Sequence, residues 1–195
     1  MNRSPCYLGF DPVPFSPNLK ILEIQRVPVY ANWSLVLFSV VILLSAFERP
    51  AEALAAWCSF FGVLLLHECG HMYVAQKLGY PVDSIRLYPF FGLTIFAQPY
   101  SRYDHSRIAW GGVAAQAVIS LPVLLYLAIF GFTRWDPVNI VLGIFGYYSA
   151  FVAACNLLPI PPLDGAFAWG LIPELIRRAQ QRRRMQKFRS GERDQ

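Results

Sequence analysis

Long apolar stretches separated by short polar segments dominate this chain. Four of them reach the roughly 20 residues that a helix needs to cross the hydrocarbon core of a bilayer. They cover about residues 29–47, 53–78, 108–132 and 138–158. A fifth stretch, 166–176, is shorter and contains Pro173 and Glu174, so we interpret it as a re-entrant or surface helix. The pattern predicts an all-α, multi-pass membrane protein with a bundle of about four transmembrane helices.

The polar segments divide the chain into three predicted regions. Residues 1–28 form an N-terminal segment, 29–176 the membrane domain and 177–195 a basic tail. The N-terminal segment is rich in proline and lacks the apolar core of a signal peptide, so we expect the first apolar stretch to act as its own insertion signal.

Composition supports a membrane protein. Hydrophobic residues make up 55% of the chain and charged residues 15%, against about a quarter charged in soluble domains. The net charge of +5 is concentrated, because eight of the 17 Lys and Arg residues lie between Arg177 and Arg193. No nucleic-acid recognition motif accompanies them. We therefore expect no nucleic-acid partner and interpret the tail as an anchor on anionic lipid.

The basic residues also predict an orientation. Counted over the segments outside the four apolar stretches, with Lys77 at the end of the second stretch assigned to the loop that follows, Lys and Arg number three, one, four, one and eight. Cytoplasmic segments carry the excess of positive charge. Both termini and the loop between the second and third stretches are therefore expected in the cytoplasm, which brings the ends of the second and fourth stretches to the same side.

A polar run interrupts the second apolar stretch, His67-Glu68-Cys69-Gly70-His71. Histidines four positions apart lie on one face of a helix, close enough to share a metal ion. A glutamate beside the first histidine can reach a metal-bound water and accept its proton. Charged groups are costly inside a membrane, so their presence there indicates function.

A second polar run follows the fourth stretch and reads NLLPIPPLDG at 156–165. Three prolines in four positions cannot continue a helix, so the backbone must unwind. Unwound backbone at membrane depth needs protein or a water-filled cavity around it. Asp164 is the favoured third metal ligand and Glu174 the alternative. Cys69 and Cys155 are not expected to bind metal, and His105 is expected in solvent or at the lipid headgroups.

These two runs resemble the signatures of the site-2 proteases, a family of intramembrane zinc proteases. The first matches the family's HExxH helix, and the second matches its N-x-x-P-x-P-x-L-D-G motif in the expected order and separation. The likeness extends over about residues 27–170 and includes 27–34, the entry to the first span, and 82–89, the loop after the catalytic helix.

The resemblance implies roles for individual residues. One Zn²⁺ would be held by His67, His71 and Asp164. Glu68 would act as general base and then as acid, and Asn156 would bind substrate or stabilise the oxyanion. Residues 80–98 would include a membrane-associated β-hairpin that receives the substrate. One position departs from the family's G-P-x-x-N pattern, since Gln116 stands where asparagine is common; its hydrogen-bonding role to the substrate or the site is open.

The implied function is intramembrane proteolysis of a transmembrane protein, with the active site toward the cytoplasm. The alternatives are an inactive scaffold or chaperone of the same fold, and a metal transporter, which would need more polar residues in the first and third stretches. No added PDZ or CBS module is expected in a sequence of 195 residues. Regulation is therefore expected to act through a membrane partner, through a preliminary cleavage of the substrate or through the tail, and the oligomeric state is left open.

Overall fold

The structure is a computed structural model that describes residues 18–191. Part of the predicted N-terminal segment and the end of the basic tail lie outside the described residues.

Three stretches of helix in the described part of the chain are long and apolar enough to cross a membrane. They are α2 (Pro50–Lys77), α3 (Arg102–Phe130), and α4 (Asp136–Gly143) continued through a π-helical turn (Ile144–Tyr148) into α5 (Ser149–Asn156). They coincide with the second, third and fourth predicted spans. The last span ends at Asn156, two residues before its predicted end at 158 and just before the prolines.

The prediction that residues 29–47 form one helix long enough to cross a membrane is wrong. A strand covers its beginning, and α1 (Trp33–Leu44) has only 12 residues before a short 3₁₀ turn. At about 1.5 Å per residue α1 is roughly 18 Å long, against a hydrocarbon core of about 30 Å. Asn32 Oδ1 accepts hydrogen bonds from the backbone N–H and the hydroxyl of Ser34, which marks where the strand gives way to helix.

The described residues also form a four-stranded sheet. The fold is therefore mostly helical but not all-α, which corrects the prediction of an all-α protein. The strands are β1 (Asn18–Ile24), β2 (Val27–Asn32), β3 (Val82–Leu87) and β4 (Gly92–Phe96), in that spatial order. The outer pairs β1–β2 and β3–β4 are antiparallel, and β2–β3 is parallel. Association of the β3–β4 hairpin with a membrane stays a prediction.

The sheet packs near the C-terminal end of α2. Val29, Ile85 and Leu87 are buried against Met72 of that helix. Because β2 lies beside β3, the chain before α1 and the chain after α2 meet at the same end of α2. The short helix α1 therefore leads from the level of the sheet back toward the start of α2.

Close backbone contact fixes α3 against α2. A side chain added at Gly70 would collide with the carbonyl of Gly111, and one added at Gly111 would lie 2.6 Å from the carbonyl oxygen of Gly70. Small residues at such crossings let membrane helices approach closely. This contact is one turn or less from the histidines of α2, so it sets the distance between them and α3.

The start of α3 is held by a polar cap. Ser101 Oγ accepts a hydrogen bond from the Asp104 N–H, and the Tyr80 hydroxyl donates to Asp104 Oδ2 at 3.0 Å. The pKa of Tyr80 is raised, mainly by burial of its side chain. The phenol therefore stays protonated at neutral pH and continues to donate to Asp104. The cap ties the loop after α2 to the first turn of α3.

The end of the described chain packs on α3. It forms α6 (Gly165–Ala168) and α7 (Leu171–Gly191). Ser106 Oγ donates to the carbonyl of Phe167 at 2.8 Å, and Trp110 Nε1 to that of Ala168 at 3.0 Å. The stretch 166–176, predicted as one surface or re-entrant helix, is thus divided between two helices, and α7 runs on into the basic tail.

Candidate active site

Three side chains converge between α2, α3 and the start of α6. His67 and His71 lie one turn apart on α2, with their Nε2 atoms 3.0 Å from each other. Asp164 Oδ2 lies 3.0 Å from the first of these nitrogens and 3.2 Å from the second. Both histidines are buried, and Asp164 is half-buried. The structure therefore brings together the three residues expected to bind metal.

The proline-rich break carries Asp164 to this position. Asp164 precedes α6, and its backbone carbonyl accepts the N–H groups of Phe167 and Ala168. A side chain at Gly165 would collide with the backbone carbonyls of Leu157 and Leu158. Glycine is thus required by the tight return of the chain on itself, which places the carboxylate beside α2.

Hydrogen bonds on the far side of each imidazole set its protonation. His71 Nδ1 lies 2.8 Å from the backbone carbonyl oxygen of Ile108, and His67 Nδ1 lies 2.9 Å from Gln116 Oε1. Carbonyl oxygens only accept hydrogen bonds, so each Nδ1 carries the proton and donates it. Each Nε2 then presents a lone pair to the cluster, which is the tautomer that binds a metal.

This donor set fits a metal ion. Two nitrogen lone pairs and a carboxylate oxygen face one another, and Asp164 Oδ2 is buried without a hydrogen-bond partner among the described residues. Ligands about 2.0–2.1 Å from a tetrahedral ion are roughly 3.3 Å apart, close to the spacing seen here. Two imidazoles, one carboxylate and an open fourth position are typical of a catalytic zinc site.

Gly112 of α3 provides the room for both imidazoles. A Cβ at this position would lie 2.5 Å from His71 Nε2 and 2.6 Å from His67 Cε1. A methyl group would thus occupy the space in which the metal-binding nitrogens sit.

We expect Gly112→Ala to weaken zinc binding by at least about tenfold, the lower end of what disturbing a ligand's surroundings costs. Zinc affinity of the purified protein, measured by competition with a chelator, checks this. Gly143→Ala is the matched control, since a Cβ there meets nothing within 4 Å. Equal affinity in both variants would show that the imidazoles do not occupy the space beside Gly112.

Glu68 points to the sheet side of the cluster. Its side chain is only 3% exposed, and its Oε2 accepts a hydrogen bond from Thr94 Oγ1 at 2.7 Å. A side chain at Gly92 would collide with the Glu68 carboxylate. Strand β4 therefore supplies both the space for the carboxylate and a donor that orients it.

The remaining candidates lie outside the cluster. Asn156 is the last residue of α5 and is half-buried. Glu174, the alternative third ligand, instead accepts a hydrogen bond from Arg178 on α7. His105 is half-buried and stacks on Phe167, with ring centroids 4.2 Å apart, rather than facing solvent. The cysteines of the described residues are free thiols: Cys58, Cys69 and Cys155.

Three residues of the site are not assigned by reasoning from the sequence. Thr94 carries no signal in the sequence, and Gly112 is marked only as the first residue of the stretch 112–116 that is compared with the G-P-x-x-N pattern. The role of Gln116 is left open by the sequence, and in the structure its oxygen accepts a hydrogen bond from His67. Each acts on a residue far away in the chain, so only the packing of α3 and β4 on α2 reveals it.

The chain is similar in sequence to known zinc metalloproteases. A zinc metalloprotease of Methanocaldococcus jannaschii is 26% identical over 153 residues, which is 76% of this chain and 43% of that protein. A relative from Synechocystis sp. is 30% identical over 165 residues, 76% of this chain and 42% of its own length. The chain thus spans less than half the length of the curated relatives it matches.

A solved structure shares the fold. The site-2 protease from Methanocaldococcus jannaschii superposes with a TM-score of 0.64 at 22% identity, covering 78% of this chain and 70% of that one. The model of Peptidase family M50 matches residues 55–190. Because this match covers more than half of the chain and includes both motifs, the chain belongs to peptidase family M50, the family of the site-2 proteases.

Proposed function

We propose that this integral membrane protein is a zinc-dependent endopeptidase that hydrolyses a peptide bond in or near a transmembrane segment of another membrane protein. The observation that carries the proposal is the convergence of His67, His71 and Asp164 beside the carboxylate of Glu68. An inactive scaffold is not favoured, since such a protein has no need of an oriented carboxylate next to a metal site.

The roles of the side chains follow from their positions. His67, His71 and Asp164 hold the zinc ion, which when bound polarises a carbonyl group and lowers the pKa of water. Glu68 accepts a proton from the attacking water and later donates it to the leaving amine. The Thr94 hydroxyl donates a hydrogen bond to Glu68 Oε2. Oε1 is therefore proposed to accept the proton of the attacking water.

The substrate is proposed to bind as an extended strand. A transmembrane helix hides its carbonyl groups in its own hydrogen bonds, so it must unwind before water can attack. Strand β4 is at the edge of the sheet, and it also carries Thr94 and Gly92, which contact Glu68. An extended segment added to this edge by main-chain hydrogen bonds would pass beside the base. Asn156 is proposed to bind the substrate or the developing oxyanion.

The orientation is proposed from charge and topology. The loop between α2 and α3 with the adjoining ends of these helices, and the segment after α5, carry 12 of the 17 Lys and Arg residues, so both are proposed to lie in the cytoplasm. The pairing of β2 with β3 puts the N-terminal strands on the same side as this loop. The site, near the C-terminal end of α2, then faces the cytoplasm, from which water reaches it. A regulatory membrane partner remains a prediction.

Metal removal tests the proposal. We expect protein purified in detergent to contain about one zinc ion per chain and to cleave a reporter with an unstable transmembrane segment. A chelator should abolish cleavage, and added zinc should restore it. Zinc content by mass spectrometry and cleavage on gels are the measurements. Cleavage that persists without metal would contradict the proposal, as would a folded protein that contains no zinc and binds none.

A further inference from the structure

We propose that Gln116 is a positioning residue for His67: its side-chain oxygen fixes the tautomer and the ring orientation of that ligand, and so sets the affinity of the site for zinc. The inference rests on the proposed zinc site. Gln116 is fully buried on α3, and its Oε1 lies 2.9 Å from His67 Nδ1.

The two ends of the Gln116 amide differ in their hydrogen bonding, and this difference supports the role. Its oxygen is paired with His67, whereas its Nε2 is buried without a hydrogen-bond partner among the described residues. Unpaired buried donors are unfavourable for folding. An apolar side chain of the same size would avoid the unpaired donor but would leave the buried Nδ1–H of His67 without its acceptor, so the contact with His67 explains a glutamine here.

The two histidines differ in what orients them. His71 donates to the backbone carbonyl of Ile108, an acceptor that side-chain substitution leaves in place. His67 depends on a side chain for the equivalent hydrogen bond. Without that acceptor, the His67 ring is free to carry its proton on Nε2, where it blocks metal binding, or to rotate away. A single substitution of Gln116 is thus expected to disturb His67 and to leave His71 and Asp164 in place.

The experiment compares two substitutions of similar size. Gln116→Met removes the acceptor, and Gln116→Glu keeps one, as in the carboxylate–histidine–zinc arrangement. We expect zinc affinity, measured by chelator competition on detergent-purified protein, to fall about 10–100-fold in Gln116→Met and to stay within a few-fold of wild type in Gln116→Glu. The unfolding temperatures of metal-free Gln116→Met and metal-free wild type are compared as well, which separates a loss of folding stability from a loss of zinc affinity.

Ser149→Ala is the matched control. Ser149 of α5 is also fully buried, and its side-chain oxygen has no hydrogen-bond partner, neither histidine included, in the part of the chain that the structure describes. Its substitution changes a buried polar group in the same bundle, so it is expected to leave zinc affinity unchanged.

Nitrogen-15 NMR of histidine-labelled wild type reports the tautomer of His67 directly. This measurement does not depend on whether a variant at position 116 folds. The chain has three histidines, and the NMR signal that is lost in His105→Gln belongs to the histidine outside the site. In metal-free protein at a pH where the imidazoles are neutral, both site histidines should carry the proton on Nδ1. In Gln116→Met, His67 should shift toward the Nε2-protonated form while His71 does not.

The outcomes separate this inference from the proposed function. Wild type that binds no zinc contradicts the zinc site itself. Wild-type zinc binding with equal affinity in Gln116→Met overturns only the role of Gln116. Loss of zinc affinity in Gln116→Met and Gln116→Glu alike, together with a lower unfolding temperature, would show that Gln116 serves packing. His67 protonated on Nε2 in the metal-free wild type would overturn the proposal without any variant at position 116.

Discussion

Glu68→Gln is expected to abolish measurable peptide hydrolysis while leaving zinc bound. Glutamine has the same shape as glutamate and still accepts a hydrogen bond from Thr94 through its side-chain oxygen, so the contact with β4 survives. It cannot accept the proton of the attacking water. General acid–base groups contribute about 10²–10⁴-fold to the rate, so we expect the cleavage rate to fall by at least that range, with about one zinc retained per chain.

Glu52→Gln is the matched control for this experiment. Glu52 lies in the first turn of the same helix and pairs with Arg49 at 3.2 Å. A surface ion pair of this kind contributes about 0–1 kcal/mol to stability, so its loss should change neither cleavage nor zinc content. Cleavage of the reporter by Glu68→Gln at the wild-type rate would rule out Glu68 as the base. Loss of zinc from Glu68→Gln would instead assign Glu68 to the metal.

The parts of the site that the sequence predicts are those governed by local chemistry. The spacing of His67 and His71 places both rings on one helix face whatever the rest of the fold does. The prolines after Asn156 end a helix wherever they occur. Asp164 follows from that break, because a carboxylate in unwound backbone at membrane depth needs a partner.

The parts that the sequence does not predict depend on contacts between distant segments. Gly112 and Gln116 gain their roles only when α3 crosses α2 at the contact of Gly70 with Gly111. A regular alternation of apolar and polar residues would mark β2 as a strand, but its buried Val27 and Val29 run directly into the apolar α1. A short apolar run of this kind fits a strand as well as a helix, so the sequence pattern predicts one continuous helix there.

The sheet links the side chain of Glu68 to a part of the chain that carries neither motif. β3 and β4 form part of a sheet whose other half comes from the beginning of the described chain. Residues before α1 therefore support the strand that orients Glu68. We infer that the N-terminal strands contribute to the position of the base, although they lie outside the stretch that the M50 family match covers.

Asp164→Ala is expected to empty the metal site and to abolish cleavage with it. Loss of an outer hydrogen-bonding partner weakens metal binding about 10–100-fold. Loss of a direct ligand should exceed the upper end of that range, which leaves two imidazoles to hold the ion. The Asp164 side chain makes no capping hydrogen bond at the start of α6, so the substitution removes no support from the backbone. Zinc content by mass spectrometry and affinity by chelator competition measure the effect.

Metal-free protein distinguishes a lost ligand from a damaged fold. Without a cation, Asp164 Oδ2 lies 3.0 and 3.2 Å from Nε2 of His67 and His71, so a protonated imidazole there forms an ion pair with it. Metal-free Asp164→Ala should still unfold cooperatively, which shows that the fold is preserved, whereas zinc should raise the unfolding temperature of wild type only. Glu174→Ala is the matched control and should keep zinc, because Glu174 pairs with Arg178. Zinc retained in Asp164→Ala and lost in Glu174→Ala would reverse the assignment of the third ligand.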